Sequence, residues 1–88
     1  MKTLIYTRGK AEQKQIEICE EYAQENGLEI VNIVDNDKDV TAFALSGQID
    51  CVIVSHASRI TRRRSEYMTA EKMLNDFGVK LIAVGGAK

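Results

Sequence analysis

The sequence has no proline and no tryptophan, only two cysteines, and a formal net charge of −1 over 88 residues. Without proline, low-complexity tracts or internal repeats, nothing marks a linker or a repeat array. Cys19 and Cys51 have no metal-ligand spacing, which excludes a zinc site and a disulfide framework. They read as reduced, buried thiols of a cytoplasmic protein. The near-zero net charge excludes the global basic character of many nucleic-acid binders, so any such affinity must come from local clustering. The apolar runs are too short to span a bilayer and no signal peptide opens the chain, so no membrane association is expected.

What is present is the composition of an ordinary globular protein, 44% hydrophobic and 28% charged. The length fits one domain over residues 1–88, with a small core that leaves part of the stability to a partner. Short continuous apolar stretches at 2–7, 28–34, 50–54 and 79–84 predict buried strands. Between the first two, Ile16, Cys19, Tyr22 and Ala23 form one stripe of a helix over 11–26, ended at Asn26-Gly27. A short helix over 40–47 holds Val40, Phe43, Ala44 and Leu45. A third runs from about Arg62 to Phe77, with Met68, Met73, Leu74 and Phe77 expected to face the core. Residues 85–88 read as a tail. Strands alternating with helices predict an α/β fold: a small, mostly parallel sheet of about four strands, flanked by helices in three layers.

The charge pattern is concentrated. Four of the five arginines, Arg59, Arg62, Arg63 and Arg64, fall within six residues just after the third strand, and Arg8 follows the first. Ligands of open α/β sheets bind outside the carboxyl ends of the strands, and guanidinium forks match phosphate. Arg8, Lys10, Arg59, Arg62 and Arg63 are therefore the candidate phosphate- or DNA-binding residues.

Three stretches in one order carry a resemblance: Tyr6-Thr7-Arg8, then QIEICEEYAQENGLEIV at 15–31, then IDCVIVSHASRITR at 49–62, followed by Gly78–Val84. Together they resemble the catalytic domain of the serine recombinases, the resolvases and invertases, over nearly the whole chain. The resemblance implies a resolvase-like domain in which Arg8, Arg59 and Arg62 match the arginines that hold the scissile phosphate. It also implies DNA, or a recombinase or regulatory protein, as partner, in a bacterial mobile-element or prophage setting. The family's nucleophilic serine, two residues after the first arginine, is here Lys10, and no serine occurs before Ser46. The aspartate before the arginine pair is Ser58, and the segment between the second and third strands is short. Neither the family's long assembly helix nor its helix-turn-helix domain is expected within these residues. A nucleophilic mechanism needs its nucleophile, so no catalytic residue and no cofactor are expected, and the domain reads as a binding pseudoenzyme. Two alternatives stay open: a phosphoryl-transfer enzyme using Thr7 or a water oriented by His56, and an interaction module that binds no DNA.

The remaining signals have plain explanations. His56 reads as structural. Asp35, Asp37 and Asp39 lack the glycine and terminal glutamate of a calcium loop, so no metal site is expected there. A homodimer through an exposed sheet edge or the Met-rich third helix is a further expectation.

Overall fold

The computed structural model describes residues 1–85; residues 86–88, most of the expected tail, lie outside the described residues. Four strands, β1 (Lys2–Tyr6), β2 (Glu29–Val34), β3 (Cys51–Val54) and β4 (Lys80–Ala83), form one sheet in the order β2-β1-β3-β4, and every pairing is parallel. Three helices connect them: α1 (Glu12–Glu25), α2 (Asp37–Ser46) and α3 (Arg64–Asp76). The chain starts in the middle of the sheet and moves outward in both directions. The crossover through α1 therefore packs on one face, while those through α2 and α3 pack on the other.

The central strands β1 and β3 are fully covered, from Leu4 to Tyr6 and from Cys51 to Val54. That burial explains why they lack the polar alternation of a half-exposed strand. On the α2–α3 face the core gathers Leu4, Tyr6, Val40, Val52, Leu74 and Leu81. On the α1 face it is smaller, with Ile5, Cys19 and Ile53 buried and Tyr22, Ile30 and Ile82 packed at its margins. Cys19 and Cys51 are free and buried, as expected. The edge strand β2 is less protected, with Val31 and Ile33 exposed, and its register shifts opposite Thr3 and Leu4. Within β2 the Asn32 side chain accepts a hydrogen bond from the Ile33 N–H (2.8 Å).

Two helix faces differ from the sequence reading. In α3 the buried residues are Tyr67 and Leu74, with Ala70 half-buried between them, whereas Met68, Met73 and Phe77 are exposed. Spacings of three and four put Tyr67, Ala70 and Leu74 on one stripe. Leu74 belongs to that stripe; the other three belong to its flanks. In α1 the buried residues are Gln15, Cys19 and Ala23, while Ile16 and Tyr22 are half-buried. Leu45 of α2, grouped with the apolar side of its helix, is also exposed. Element ends shift slightly. Asn36 caps α2 by accepting from the Asp39 N–H (2.9 Å), so that helix begins at Asp37. Arg63 occupies the N-cap position of α3 without a side-chain capping hydrogen bond, and the first residue of that helix is Arg64.

Candidate functional site

The candidate site lies at the carboxyl ends of β1 and β3. After Tyr6 the chain passes through Thr7, Arg8, Gly9, Lys10 and Ala11 before α1 begins. This loop is tight: Gly9 has φ +75° and Ala11 φ +60°, both left-handed. Gln15, on the first turn of α1 and 1% exposed, holds it. Its Oε1 accepts from the Arg8 N–H (2.9 Å), and its Nε2 donates to the carbonyls of Arg8 (2.9 Å) and Lys10 (2.7 Å). One buried amide thus satisfies three backbone groups that have no place in the sheet or helix.

From the other side comes Arg59. Following β3, a turn of 3₁₀ helix over Ala57–Arg59 brings its Nη1 to the Arg8 carbonyl (3.4 Å). Gly9 adopts the left-handed φ of +75° that this turn requires, and a Cβ there would make only ordinary contact with the same nitrogen, at 3.6 Å. His56 caps the turn: its Nδ1 accepts from the Ser58 N–H (3.1 Å) and lies 3.0 Å from the Ser58 hydroxyl. This is the structural role read from the sequence.

The Arg8 guanidinium turns toward α2. Its Nη1 reaches the Asp37 carboxylate (3.3 Å) and the Tyr6 hydroxyl (3.1 Å), and Tyr6 in turn donates to Asp37. Burial, reinforced by the hydrogen bond to Asp37, raises the Tyr6 pKa, so the phenol stays protonated and keeps donating. Sequence reasoning placed Asp37 in a plain acidic turn. The overlooked signal was the Asn36-x-x-Asp39 cap, which starts a helix there and aims Asp37 back at the strand end.

The candidate residues fall into two groups. Arg8, Lys10 and Arg59 share the loop cluster, and Lys10 is exposed. Arg62 is exposed and makes no hydrogen bond or ion pair among the described residues. Arg63 is engaged by Glu66 (3.4 Å), and Thr61 donates to the same carboxylate (2.7 Å). The hydroxyl nearest the loop in sequence, Thr7, is 1% exposed; its Oγ1 donates to Glu12 (3.1 Å) and also lies 3.4 Å from the Val34 carbonyl. Among the described residues no group of three His, Cys, Asp or Glu side chains could hold a metal, and no helix is long and apolar enough to cross a membrane.

No family model matches this sequence, and no curated protein is a significant match. Solved structures do match over essentially the entire chain. The C-terminal catalytic domain of ISC1926 TnpA, an IS607-like serine recombinase, superposes with a TM-score of 0.84 at 21% identity, covering 99% of this chain and 72% of that one. The N-terminal catalytic domain of TP901-1 integrase gives 0.86 at 16% identity, over 99% and 79% of the two chains. A resolvase family site-specific recombinase from Streptococcus pneumoniae gives 0.86 at 22% identity, over 100% and 74%. The fold is that of the serine recombinase catalytic domains, as the ordered motifs implied.

Proposed function

We propose that this chain is a resolvase-like domain that holds a DNA phosphate without cleaving the strand. The observation that carries the reading is the loop cluster itself. At the carboxyl edge of the sheet the Arg59 guanidinium reaches the Arg8 carbonyl, the Arg8 guanidinium stands on the Asp37 carboxylate that a phosphate would displace, Lys10 is exposed two residues after Arg8, and Thr7 is buried and hydrogen-bonded. Positioned arginines are the main tool for stabilising phosphoryl charge, and here they are assembled with no free hydroxyl in the loop to attack. Lys10 adds a cation where the resemblance puts the nucleophile. The site then favours bound phosphate over turnover. In this reading the domain works in the cytoplasm in a DNA-recombination or mobile-element setting, occupying DNA alone or beside an active recombinase.

Binding to labelled duplex and single-stranded DNA across a salt series tests this, with an Arg59→Ala, Arg62→Ala double variant in parallel. Affinity should fall steeply with salt, with a slope of roughly −0.9 per phosphate contact on duplex, and the variant should lose it. Absence of binding at low salt would overturn the anion site. A covalent protein–DNA adduct, trapped by denaturation, would overturn the claim of inactivity.

A further inference from the structure

A cleft of about 250 Å³ runs between α2 and α3, and the phosphate reading leaves it unused. Val52 of β3 and Leu81 of β4 floor it; Val40 and Thr41 of α2 and Ala70 and Met73 of α3 wall it. Away from its mouth the lining is apolar except for the Thr41 hydroxyl. A cavity of about 150 Å³ holds benzene, so this cleft has room for a nucleobase. One wall stands open in the folded chain: Met73 lines the cleft and is nevertheless 45% exposed. Its thioether is polarizable and adapts its shape, which suits the face of a planar ring.

The mouth of the cleft adjoins both arginines of the loop cluster. Tyr6, Asp37 and Ile60 complete the lining at the carboxyl edge of the sheet. Tyr6 and Asp37 are the two groups that the Arg8 guanidinium touches. Ile60 directly follows Arg59. Its half-buried side chain packs on the α2–α3 core, while Arg59 turns back to the Arg8 carbonyl. An anion that displaces Asp37 from Arg8 therefore sits at the open end of an apolar slot. Whatever is attached to that anion has the slot as its nearest cover.

We propose that this cleft takes a nucleobase turned out of its stack. The ligand of the site is then a single-stranded nucleotide, with its phosphate on the arginines and its ring between the helices. This rests on the phosphate reading and adds the other half of the ligand. A base has apolar faces and a polar rim. The cleft offers aliphatic side chains and a thioether to the faces, and the Thr41 hydroxyl to the rim. In duplex DNA the same base must first be unpaired and unstacked, which costs affinity. In a single strand that cost is small. Arginines alone would favour the higher charge density of a duplex, so a preference for single strands is the mark of an occupied cleft.

NMR titration of the isotope-labelled chain with inorganic phosphate, deoxyribose phosphate and deoxyadenosine monophosphate tests the proposal. The nucleotide should bind roughly tenfold more tightly than the sugar phosphate, as burial of one ring against apolar side chains gives. It should shift the amides of Thr41, Ala70 and Met73 as well as those of the Arg8 loop. Ala70→Leu, which fills the cleft, should erase that tenfold and leave the affinity for inorganic phosphate unchanged. Equal binding of nucleotide and sugar phosphate, or shifts confined to the Arg8 loop, overturns the inference and leaves the phosphate site standing. If inorganic phosphate itself fails to bind, the phosphate reading has failed and this inference falls with it. If Ala70→Leu does not fold, the wild-type chain still decides: a single strand should bind more tightly than a duplex of equal length at low salt, and a preference for the duplex overturns the inference.

Discussion

Replacing Gln15 by leucine should be the most damaging single change near the candidate site, although it makes the sequence more hydrophobic. Gln15 is 1% exposed, and its amide satisfies the Arg8 N–H and the carbonyls of Arg8 and Lys10. Leucine fills much of the volume but removes all three hydrogen bonds, leaving the Arg8 N–H and the Lys10 carbonyl without a partner and the Arg8 carbonyl with only the longer contact from Arg59. At about 1 kcal/mol for each lost hydrogen bond, the cost is about 3 kcal/mol. A domain of this size holds roughly 4–13 kcal/mol in total, so a large fraction of the stability would go. With about 4–8 °C lost per kcal/mol, the Tm should drop by roughly 12–24 °C. In urea the midpoint should fall while the m-value stays constant, since the surface exposed on unfolding is unchanged. Gln15→Glu sharpens the test. It keeps an acceptor for the Arg8 N–H but turns a carboxylate oxygen on two carbonyls, so it should be worse at neutral pH and recover on protonation. A Gln15→Leu loss below about 1 kcal/mol would refute the reasoning, because the loop would then be held by something else.

Three further outcomes follow from particular groups. Ala11 sits at φ +60° and ψ 44°, a conformation that costs an L residue roughly 1–2 kcal/mol, so Ala11→Gly should raise stability by about 0.5 kcal/mol after the entropy cost of glycine; a loss in urea denaturation would contradict it. Burial first, and then the nearby Glu20, push the Cys19 thiol up to about 11 from 9.0. The unfolded thiol loses its proton first, so its contribution is complete below about pH 9 and is lost as pH rises toward 11, at up to about 1.4 kcal/mol per pH unit. Cys19→Ala should flatten that part of the pH–stability curve, leaving the contributions of Tyr6 and Tyr67, whose pKa values are also raised by burial. Asp37 is an internal anion on Arg8, and exposed pairs of this kind are worth up to about 1 kcal/mol, so Asp37→Asn should tighten inorganic phosphate binding by roughly two- to fivefold in an NMR titration. Unchanged affinity would show that Asp37 does not compete.

The strands were legible because β1 and β3 are buried on both faces and so read as unbroken apolar runs. Their alternation with helices was enough to give the parallel sheet. The face of α3 was misread because two apolar rows lie on that helix. Met73 and Phe77 outweigh Tyr67 and Ala70 in hydropathy, yet the sheet covers the latter pair with Leu74. Gln15 escaped for the opposite reason: its burial depends on three backbone partners that only the folded loop supplies, so hydropathy assigns it to the surface. The arginine cluster was visible as a run of charge. Its division was not, since the 3₁₀ turn carries Arg59 to the Arg8 loop while Glu66 keeps Arg63 on α3.

The contact between the Arg59 guanidinium and the Arg8 carbonyl joins positions 51 residues apart in the chain. In the unfolded chain the two arginines are independent, and no anion finds them together. A phosphate held by both therefore binds only the folded state and shifts the folding equilibrium, by about 2.7 kcal/mol once its concentration exceeds Kd a hundredfold. For so small a domain that is comparable with losing or keeping the Gln15 amide. Under the proposed function, a bound nucleic acid would act as an extra part of the fold, and protection from unfolding and proteolysis would rise and fall with occupancy of the site.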